Sequence, residues 1–593
     1  MHRVRLLVLV FLIPVALLGQ VDVRFSVHNL PAEAEGKIGI RGSVAPLDWD
    51  VSLPLQRQGD SAWVVVQFSA DSRVEYKYVV ERETGDVRWE TIDNRSIEGQ
   101  AKGAKADRWN TAPLIDFSAL PKLSPDALQA DYALVESMVL DVHPGTYRYN
   151  DEAAIQAALD TLWASFQAPL TLEETYLALS RLTAALQCDH TKPGFNNQSN
   201  LMTALLHGQS DKLPFTFRWL GEDMIVEYNA SDAAELAPGA QVLTINGISV
   251  SQILHQLLPY VGADGGTNAN RINKLAVEGF DFRYNAFDVF YPLHFPLKTG
   301  DLAMHVIPFG SAGVMRVTVP ALTREARAAI LEERYPVFPG NRDDMWDFTI
   351  TPEGVGVLTM NSFGLMGWKG MTLDYKAFLA EAFARMAQDD VEHLVLDIRR
   401  NTGGVDEMKH ELFRYLDCHT PTETWREWRT RFALFPDALK PHVQTWVDEP
   451  YYYTLEPDFV DTETGQYVFT EELLAPVEKA NDVFAGDLFL LTSPANTSLA
   501  FYTARAFRTQ CKGTMVGQTT GGNQNGINGG QILFLRLPNA GIEIVFPIKG
   551  GFALEAQPNN GIMPNVFVAP TQASITAGDD PVMEAVLHLL NLD

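Results

Sequence analysis

Cysteine and positive charge are both scarce in this sequence, and each shortage excludes a class of protein. The 593 residues include three cysteines, Cys188, Cys418 and Cys511. So odd and sparse a count does not form a disulfide framework; one pair is compatible with it, but none is predicted. Lysine and arginine number 46 against 74 aspartates and glutamates, which leaves a net charge of −28. Because phosphates would repel such a surface, we expect no nucleic-acid partner.

Long apolar runs are absent as well. The N-terminal run, residues 6–18, follows a basic start (His2, Arg3 and Arg5), is too short to span a bilayer and has the length of a signal-peptide core. We therefore expect residues 1–20 to be a signal peptide. The mature protein would be exported to the periplasm or outside the cell, without a stable membrane anchor. An uncleaved anchor is the alternative.

Motifs for metals and nucleotides are missing too. The sequence contains no HExxH, no CxxC, no histidine pair at helical spacing, and no glycine-rich phosphate loop followed by Lys-Ser or Lys-Thr. We therefore expect a protein that uses no metal and no other cofactor.

The hydrophobic pattern changes several times along the chain and predicts a multidomain protein. Segments such as "WVVVQF" and "VEYKYVV" predict an all-β sandwich over 21–112, and apolar residues at helical spacing predict a helical segment over 120–200. Strands return over 210–310, where "LTINGISVSQIL" predicts a strand, an Asn-Gly turn and a helix. Strands and helices alternate over 345–590, which predicts an α/β core with a polar, aromatic insert at 418–483.

Two predicted strands of this core end in residues suited to catalysis. The strand "HLVLDIR" ends in "RNTGG", where Gly403 and Gly404 allow a sharp turn and leave backbone N–H groups open to an anionic centre. The strand "DLFLLTS" is followed by Ser498 at the start of a helix, where a hydroxyl can be exposed beside the next backbone N–H. An ordinary turn and a helix N-cap are the alternatives for these two segments.

The order of five segments resembles that of the C-terminal-processing, or tail-specific, serine peptidase family. The segments are "GVGVLTMNSF", "LVLDIRRNTGG", "LTSPANTSLAFYTARAF", "MVGQTTGGNQNG" and "NNGIMPNV". The resemblance covers about residues 120–590 and implies a crotonase/ClpP-like α/β catalytic core. Upstream, "APGAQVLTINGISVSQIL" is similar to the PDZ-like α+β module that these enzymes carry.

This resemblance assigns most of the catalytic machinery. Ser498 matches the family's nucleophile, and Leu499 with Gly403 or Gly404 matches the oxyanion hole. The position of the base in the tail-specific branch, a lysine, is occupied by Asn523. Because an asparagine cannot usefully accept a proton, a Ser–Lys dyad is excluded.

A different branch of the family, the tricorn-core branch, takes its base from a histidine ahead of the PDZ-like region, completed by a C-terminal glutamate. The matching residues are His190 in "LQCDHTKPGF" and Glu555 in "GGFALEAQPNN". The resemblance therefore implies that Ser498 attacks, His190 takes the proton, and Glu555 supports the imidazole directly or through another polar group. A buried core histidine is the alternative for His190.

The front segment carries a second resemblance, to the starch-binding domain, the family 20 type of carbohydrate-binding module. It rests on "GIRGSVAPLDWD", "WVVVQF", "VEYKYVV" and "VRWETIDNRSI" in family order. Trp49 and Trp89 offer flat apolar faces to glucose rings, and Lys77, Glu90 and Asn94 offer hydrogen bonds to hydroxyls. A sandwich that packs its tryptophans and binds no glycan is the alternative.

Together these features predict an exported serine endopeptidase that cuts polypeptides through a Ser–His(–Glu) relay, directed to α-glucan-associated substrates by its N-terminal module. A catalytically inactive protein on the same scaffold, binding an apolar ligand or a glycan, is the second hypothesis. A glycosidase is disfavoured because the core shows no pair of carboxylates in a suitable context. The sequence leaves the cleavage specificity, the oligomeric state and the role of the insert open.

Overall fold

The computed structural model describes most of the chain, in two compact units. One unit comprises residues 1–113 with 208–210, and the other comprises 114–207 and 211–593. Apart from Gln20, the expected signal peptide lies outside the described residues. The described residues are 20–28, 30, 37–59, 61–69, 73–82, 87–90, 94–98, 103–109, 119–195, 198–278, 285–335, 345–364, 373–419, 425–445, 452–470 and 478–592.

The first unit forms the predicted all-β sandwich. Its strands are β1 (Gln20–His28), β2 (Lys37–Gly42), β3 (Leu53–Pro54), β4 (Gln56–Gln58), β5 (Ser61–Ser69), β6 (Arg73–Glu81), β7 (Val87–Trp89), β8 (Arg95–Glu98) and β9 (Gly103–Arg108). One sheet has the order β4-β5-β1-β9 and the other β3-β2-β6-β7, with β8 paired to β6. Phe25 of the first sheet packs against Tyr76 of the second with ring centroids 4.7 Å apart, so the two inner faces share one core.

The second unit mixes helices and sheets. Its helices are α1 (Pro125–Ser137), α2 (Glu152–Ser165), α3 (Leu172–Ala185), α4 (Asn200–Leu206), α5 (Val250–Leu257), α6 (Asn268–Lys274), α7 (Ala286–His294), α8 (Arg324–Arg334), α9 (Tyr375–Gln388), α10 (Asp406–Arg414), α11 (Ser498–Gln510), α12 (Gln572–Ala577) and α13 (Pro581–Leu590). Within the described ranges, no helix combines the length and the apolar character needed to cross a membrane.

The strands of the second unit belong to three sheets. They are β10 (Lys192–Pro193), β11 (Phe215–Leu220), β12 (Asp223–Asn229), β13 (Gln241–Ile245), β14 (Ile248–Ser249), β15 (Asp301–Ile307), β16 (Met315–Pro320), β17 (Trp346–Ile350), β18 (Val355–Met360), β19 (His393–Asp397), β20 (Arg426–Thr430), β21 (Val443–Gln444), β22 (Phe459–Val460), β23 (Tyr467–Phe469), β24 (Asp487–Thr492), β25 (Gly513–Gly517), β26 (Asn528–Arg536), β27 (Glu543–Ala553) and β28 (Val566–Phe567).

Helices α1–α3 lie in the predicted helical segment of 120–200, whereas α4 begins at its last residue, and the local sequence explains where they begin. Ser124 caps α1, and Thr171 caps α3 through a capping box with Glu174. Helix α3 ends at Ala185, and the loop that follows it carries His190 and leads into β10. The helical segment therefore presents this histidine at its C-terminal end.

Strands β11–β16 form an antiparallel sheet with the described order β11-β12-β13-β15-β16, and β14 pairs with β13. Asn246 and Gly247 make the tight turn between β13 and β14, with positive φ values of 50° and 83°. Helix α5 follows at once, capped by Ser249. The predicted strand, Asn-Gly turn and helix are therefore found at this place.

The core sheet brings two strand ends together. Its described order is β17-β18-β19-β24-β25-β28, and all of these strands except β17 run parallel. Strands β19 and β24 are neighbours, so the loops that follow them meet at one edge of the sheet. These loops carry Gly403 with Gly404 and Ser498, respectively.

The insert contributes strands to a third sheet. The described order is β21-β26-β27-β20-β23-β22, with β10 also paired to β27. Strands β20–β23 come from the insert at 418–483, and β26 and β27 form a long hairpin later in the chain. The third sheet therefore joins the His190 loop, through β10, to this hairpin.

A disulfide joins Cys418 and Cys511, a bond that the cysteine count did not predict. The count of cysteines is odd because the third one, Cys188, is a buried free thiol. The two partners are 93 positions apart, and the fold brings their Cα atoms to 4.4 Å. Since Cys511 directly follows α11 and Cys418 lies shortly after α10, the bond ties the C-terminal ends of both helices.

Removal of this bond should destabilise the second unit. Because a cross-link over so long a loop lowers the entropy of the unfolded chain, the double variant Cys418→Ser/Cys511→Ser should lose about 2–5 kcal/mol of unfolding free energy. Urea denaturation followed by circular dichroism measures the loss. Wild-type protein treated with reductant should match the variant, and an unchanged unfolding midpoint in both would contradict the bond.

Candidate active site

Ser498 is held in an unusual backbone conformation at the start of α11. Its φ is 48°, in the left-handed region that serine seldom adopts. Thr497 occupies the N-cap position, but its hydroxyl donates to the carbonyl oxygen of Thr402 and caps nothing. The N-cap alternative for Ser498 is therefore wrong. A conformation of this kind costs about 1–3 kcal/mol and is concentrated at active sites, where it aims a side chain.

Gly403 lies directly against Ser498. Gly403 and Gly404 have positive φ values of 124° and 149°, which glycine alone adopts readily. A Cβ on Gly403 would lie 2.7 Å from the Cβ of Ser498 and 2.9 Å from the backbone nitrogen of Leu499. The glycine therefore keeps open the space beside the serine hydroxyl.

Two asparagines fix this turn. Asn401 donates through Nδ2 to the carbonyl oxygen of Met360, and its Oδ1 accepts the N–H of Gly403. Asn496 donates through Nδ2 to the carbonyl oxygens of Ile398 and Asn401. Both asparagines are fully buried, so these bonds between the two strand ends form away from competing water.

The predicted oxyanion donors differ in whether their N–H groups are free. Gly403 donates its N–H to Asn401 Oδ1 at 2.9 Å, so this amide is not open to a substrate in this structure. The N–H groups of Gly404 and Leu499 have no acceptor in the described part of the chain. Gly404 and Leu499 therefore remain as the candidate pair, and Gly403 contributes space instead of a hydrogen bond.

His190 lies in the loop between α3 and β10, which charged side chains hold in place. The carboxylate of Asp189 is paired with the ammonium of Lys274, and the backbone N–H of Asp189 donates to Asp264 Oδ1 at 3.1 Å. On the other side the imidazole packs against Gly529 of β26, where a Cβ would come within 3.0 Å of the ring. The position of the histidine thus depends on α6 and on the hairpin together.

The environment of His190 keeps its imidazole uncharged. Burial lowers its pKa from 6.5 to about 4; Lys192 and Lys274 act in the same direction, and Asp189 opposes them. Burial alone would raise the pKa of Asp189, but the two lysines outweigh that effect and leave it lowered. At neutral pH the site therefore holds a neutral imidazole, the form that accepts a proton, next to an ionised carboxylate.

His190 lines a cavity together with Thr497, the residue directly before Ser498. Among the described residues no hydrogen bond joins His190 to Ser498, and Nδ1 of His190 is buried without a partner. The cavity has a volume of about 200 Å³ and is also lined by Thr402, the residue before Gly403. The structure thus brings the histidine to the edge of the serine site. Catalytic hydrogen bonds are often long before substrate binds.

No hydrogen bond or ion pair joins Glu555 to His190 in the described part of the chain. Glu555 is exposed, and it forms no hydrogen bond or ion pair with any described residue. Asn523, at the position of the family's lysine, is buried and donates to the carbonyl oxygen of Asp264 and to Asn559 Oδ1. Asn523 therefore supports the loop, and the role of Glu555 stays a prediction.

In the first unit, Trp49 and Trp89 lie side by side. Their ring centroids are 6.2 Å apart with 39° between the planes, and both side chains are half-buried. Arg41 stacks over Trp89 at 5.1 Å and donates to the carbonyl oxygen of Trp49, so it holds both residues. Lys77 of β6 lies opposite Arg41 of β2 in the strand register, and Asn94 is exposed.

Glu90 does not fit the sugar-binding role that the sequence predicts. Its side chain is buried, and the carboxylate accepts hydrogen bonds from Arg95 at 2.6 and 3.1 Å and from the N–H of Tyr78 at 3.1 Å. A buried carboxylate needs such partners. Glu90 therefore stabilises the sandwich and has no surface to offer a glycan.

Several supporting residues have no motif that sequence reasoning could find. Lys274 and Gly529 act on the His190 loop from distant segments, and Arg41 acts on the tryptophans through the fold of its sheet. Asn401 is different: it lies inside "RNTGG", and asparagine often bonds its own turn, so the pattern contained a usable signal.

Two family models match segments of the chain. The family model described as Peptidase family S41 matches residues 354–566, and the model described as Starch binding domain matches residues 20–109. No curated protein sequence matches the chain.

Solved structures match the chain at low identity, and two of them, with TM-scores above 0.5, share the fold. Mature CPAF in complex with lactacystin is 16% identical, covers 79% of this chain and 99% of its own, and has a TM-score of 0.53. Mature CPAF alone is 15% identical, covers 78% and 96%, and has a TM-score of 0.54. The photosystem II D1 C-terminal processing protease is 14% identical, covers 77% and 97%, and has a TM-score of 0.35. Residues 354–566 are therefore a domain of peptidase family S41, that of a serine peptidase, and residues 20–109 are a starch-binding domain.

Proposed function

We propose that this protein is an exported serine endopeptidase in which Ser498 attacks a peptide carbonyl and His190 takes its proton. One observation carries the proposal: Ser498 has a φ of 48° at the start of α11, and Gly403 leaves the space beside its hydroxyl open. The free N–H groups of Leu499 and Gly404 suit the negative oxygen of a tetrahedral intermediate.

In this mechanism His190 acts first as a base and then as an acid. Its neutral imidazole accepts the proton of Ser498 Oγ while that oxygen bonds to the carbonyl carbon. The proton then passes to the leaving amine, the C–N bond breaks, and water hydrolyses the acyl-enzyme by the reverse sequence. The two side chains must come within hydrogen-bond distance as substrate binds.

The imidazole is supported by its own loop in this proposal. The carboxylate of Asp189 is the one influence that raises the pKa of His190, so it stabilises the imidazolium that forms during the reaction. Gly529, which has no side chain, leaves room for the ring beside the hairpin. Glu555 enters only as a residue to be tested beside these two.

The proposal extends to the modules around the site. We propose that β11–β16 with α5 form a PDZ-like module, on the strength of the strand, Asn-Gly turn and helix at its centre. The parallel order β18-β19-β24-β25-β28 supports a crotonase/ClpP-like core. An extended polypeptide would add as a strand to an edge of the first of these sheets.

The starch-binding domain would hold the peptidase near polysaccharide-associated protein. The paired rings of Trp49 and Trp89, which Arg41 fixes, support α-glucan binding by stacking on sugar rings.

A second candidate is a binding protein that has lost catalysis. It is favoured by one observation, the lack of a hydrogen bond between Ser498 and His190 in the described structure. The free amides and the open space at Gly403 favour the peptidase, because a binding protein has no need of either.

Replacement of the proposed catalytic residues should abolish casein hydrolysis. Ser498→Ala and His190→Ala should each lower kcat/KM by about 1,000-fold or more, because each removes a step of the same proton transfer. Glu353→Gln, the matched control at an exposed site in the turn between β17 and β18, should stay within about threefold of wild type. Glu555→Gln tests the predicted relay: a large loss of kcat/KM supports it, and an unchanged kcat/KM removes it. Full activity of His190→Ala would overturn the assigned base. A wild-type protein inert on casein and on short peptides would favour the binding protein.

The pH profile should show the lowered pKa of His190. Because the imidazole must be neutral to act, kcat/KM should fall with acid only near pH 4 and should be nearly the same at roughly pH 5.5 as at pH 7. An unperturbed histidine would already have lost about tenfold at that pH. An acid limb near pH 6.5 would refute the lowered pKa of His190.

This experiment needs a folding control. His143, His190 and His207 all have pKa values that burial lowers. The unfolded chain therefore binds more protons than the folded one between about pH 6.5 and 4, so stability falls as the pH falls through that window. Near-ultraviolet circular dichroism at each pH separates this loss from the titration of the base.

Binding to insoluble starch should depend on the tryptophan pair. The double variant Trp49→Ala/Trp89→Ala should lose retention in a pull-down while casein hydrolysis stays unchanged, because the pair belongs to the first unit. Trp63→Ala is the matched control, since Arg24 covers that ring at 4.4 Å. If the double variant is still retained on starch, the glycan site lies elsewhere. If the wild type is not retained, the domain does not bind starch.

A further inference from the structure

We propose that the cavity beside His190 receives a large apolar side chain, aromatic by preference, from a substrate residue next to the scissile bond. The inference rests on the proposed peptidase function and adds its substrate preference. The cavity lies within the second unit and has a volume of about 200 Å³.

One wall of the cavity is made of aromatic rings. Phe195, Tyr260 and Phe290 line it, and the ring of Phe290 lies 5.9 Å from Tyr260 and 6.2 Å from Phe195 between centroids. Ala276 and Ala286 also line the cavity, and their short side chains leave its volume free. Because an apolar cavity of about 150 Å³ holds benzene, this one has room for a phenylalanine ring.

Three buried polar atoms that have no hydrogen-bond partner in the described structure belong to residues of the cavity lining. They are Oδ1 of Asn270, Nδ2 of Asn285 and Nδ1 of His190. A hydrocarbon ligand would leave these atoms unsatisfied, and water alone would leave the ring wall uncovered. A residue of a polypeptide brings both an apolar side chain and the N–H and C=O groups beside it, so it matches both parts.

The charged residues of the lining all interact with other groups of the protein. Lys192 lies 3.9 Å from Asp189, and Glu278 lies 3.8 Å from Arg218. Arg400 is not free either.

Lys274 is paired with Asp189, and Arg399 is paired with Asp397 and Asp580. A carboxylate or ammonium entering the cavity would be desolvated without gaining a free partner of opposite charge from these pairs. The chemistry therefore favours an uncharged, apolar side chain.

The cavity also opens at the right place. Thr402 and Thr497 line it, and these residues come directly before Gly403 and Ser498 in the chain. A side chain in the cavity would therefore belong to a residue that flanks the attacked carbonyl, with His190 beside it. A substrate residue bound in the cavity would therefore lie between His190 and Ser498.

Peptides that carry a single Phe or a single Ala at each position flanking the cleavage site test the preference. Burial of the ring should give the Phe peptide a kcat/KM about 10- to 100-fold above that of the Ala peptide at one of these positions. Ala276→Leu, which fills the cavity, should reduce this ratio to a few-fold. Ala158→Leu on α2, half-buried and away from the cavity, is the matched control and should keep the ratio.

A binding experiment separates this inference from the proposed function. The Ser498→Ala protein is titrated with a dye-labelled peptide of alternating Ala and Ser that has one central Phe, and with the same peptide bearing a central Ala. Tighter binding of the Phe peptide, lost on adding Ala276→Leu, supports the cavity even if the wild type cuts nothing, in which case the peptidase function alone fails. Cleavage without any Phe preference, or a preference that survives Ala276→Leu, would overturn the cavity assignment and leave the peptidase standing.

Discussion

The close approach of Gly403 to Ser498 is the constraint on which the rest of the site depends. It requires two neighbouring parallel strands that end at one edge of a sheet, a turn with two residues of positive φ, and a serine held at a φ that serine resists. Buried hydrogen bonds from Asn401 and Asn496 tie these parts together. These hydrogen bonds therefore offset the backbone strain at Ser498, because neither strand end can change its conformation without breaking them.

The histidine half of the site is built on different elements. His190 lies between α3 and β10, a strand of the sheet that contains the β26–β27 hairpin, while Ser498 begins α11 after β24 of the core sheet. The ion pair of Lys274 with Asp189 and the contact with Gly529 hold the loop from two sides. Because the two halves have separate supports, the distance between Ser498 and His190 reflects how the core sheet and the third sheet pack.

The sequence was informative where chemistry follows a strand end. The position of Ser498 after one strand and of Gly403 with Gly404 after another was predictable, because local pattern alone places them, and the all-β character of the front unit was predictable from alternation. The contact of Gly529 with His190, the pairing of the insert with the hairpin, and the Cys418–Cys511 bond were not, since each joins segments far apart in sequence. Glu90 is a case in which the sequence assigned a role that the structure contradicts. It was a candidate for sugar binding, but its carboxylate is buried in the sandwich and forms an ion pair with Arg95.

The disulfide makes a closed ring of the chain between Cys418 and Cys511, and this ring contains the insert strands, β24 and all of α11. A single break in the backbone anywhere within the ring leaves two pieces that stay covalently joined. A nicked molecule would therefore keep Ser498 on the same particle as Gly403 and would migrate as one species until it is reduced. Limited proteolysis at one site within the ring would therefore cut the chain without releasing a fragment as long as the disulfide is intact.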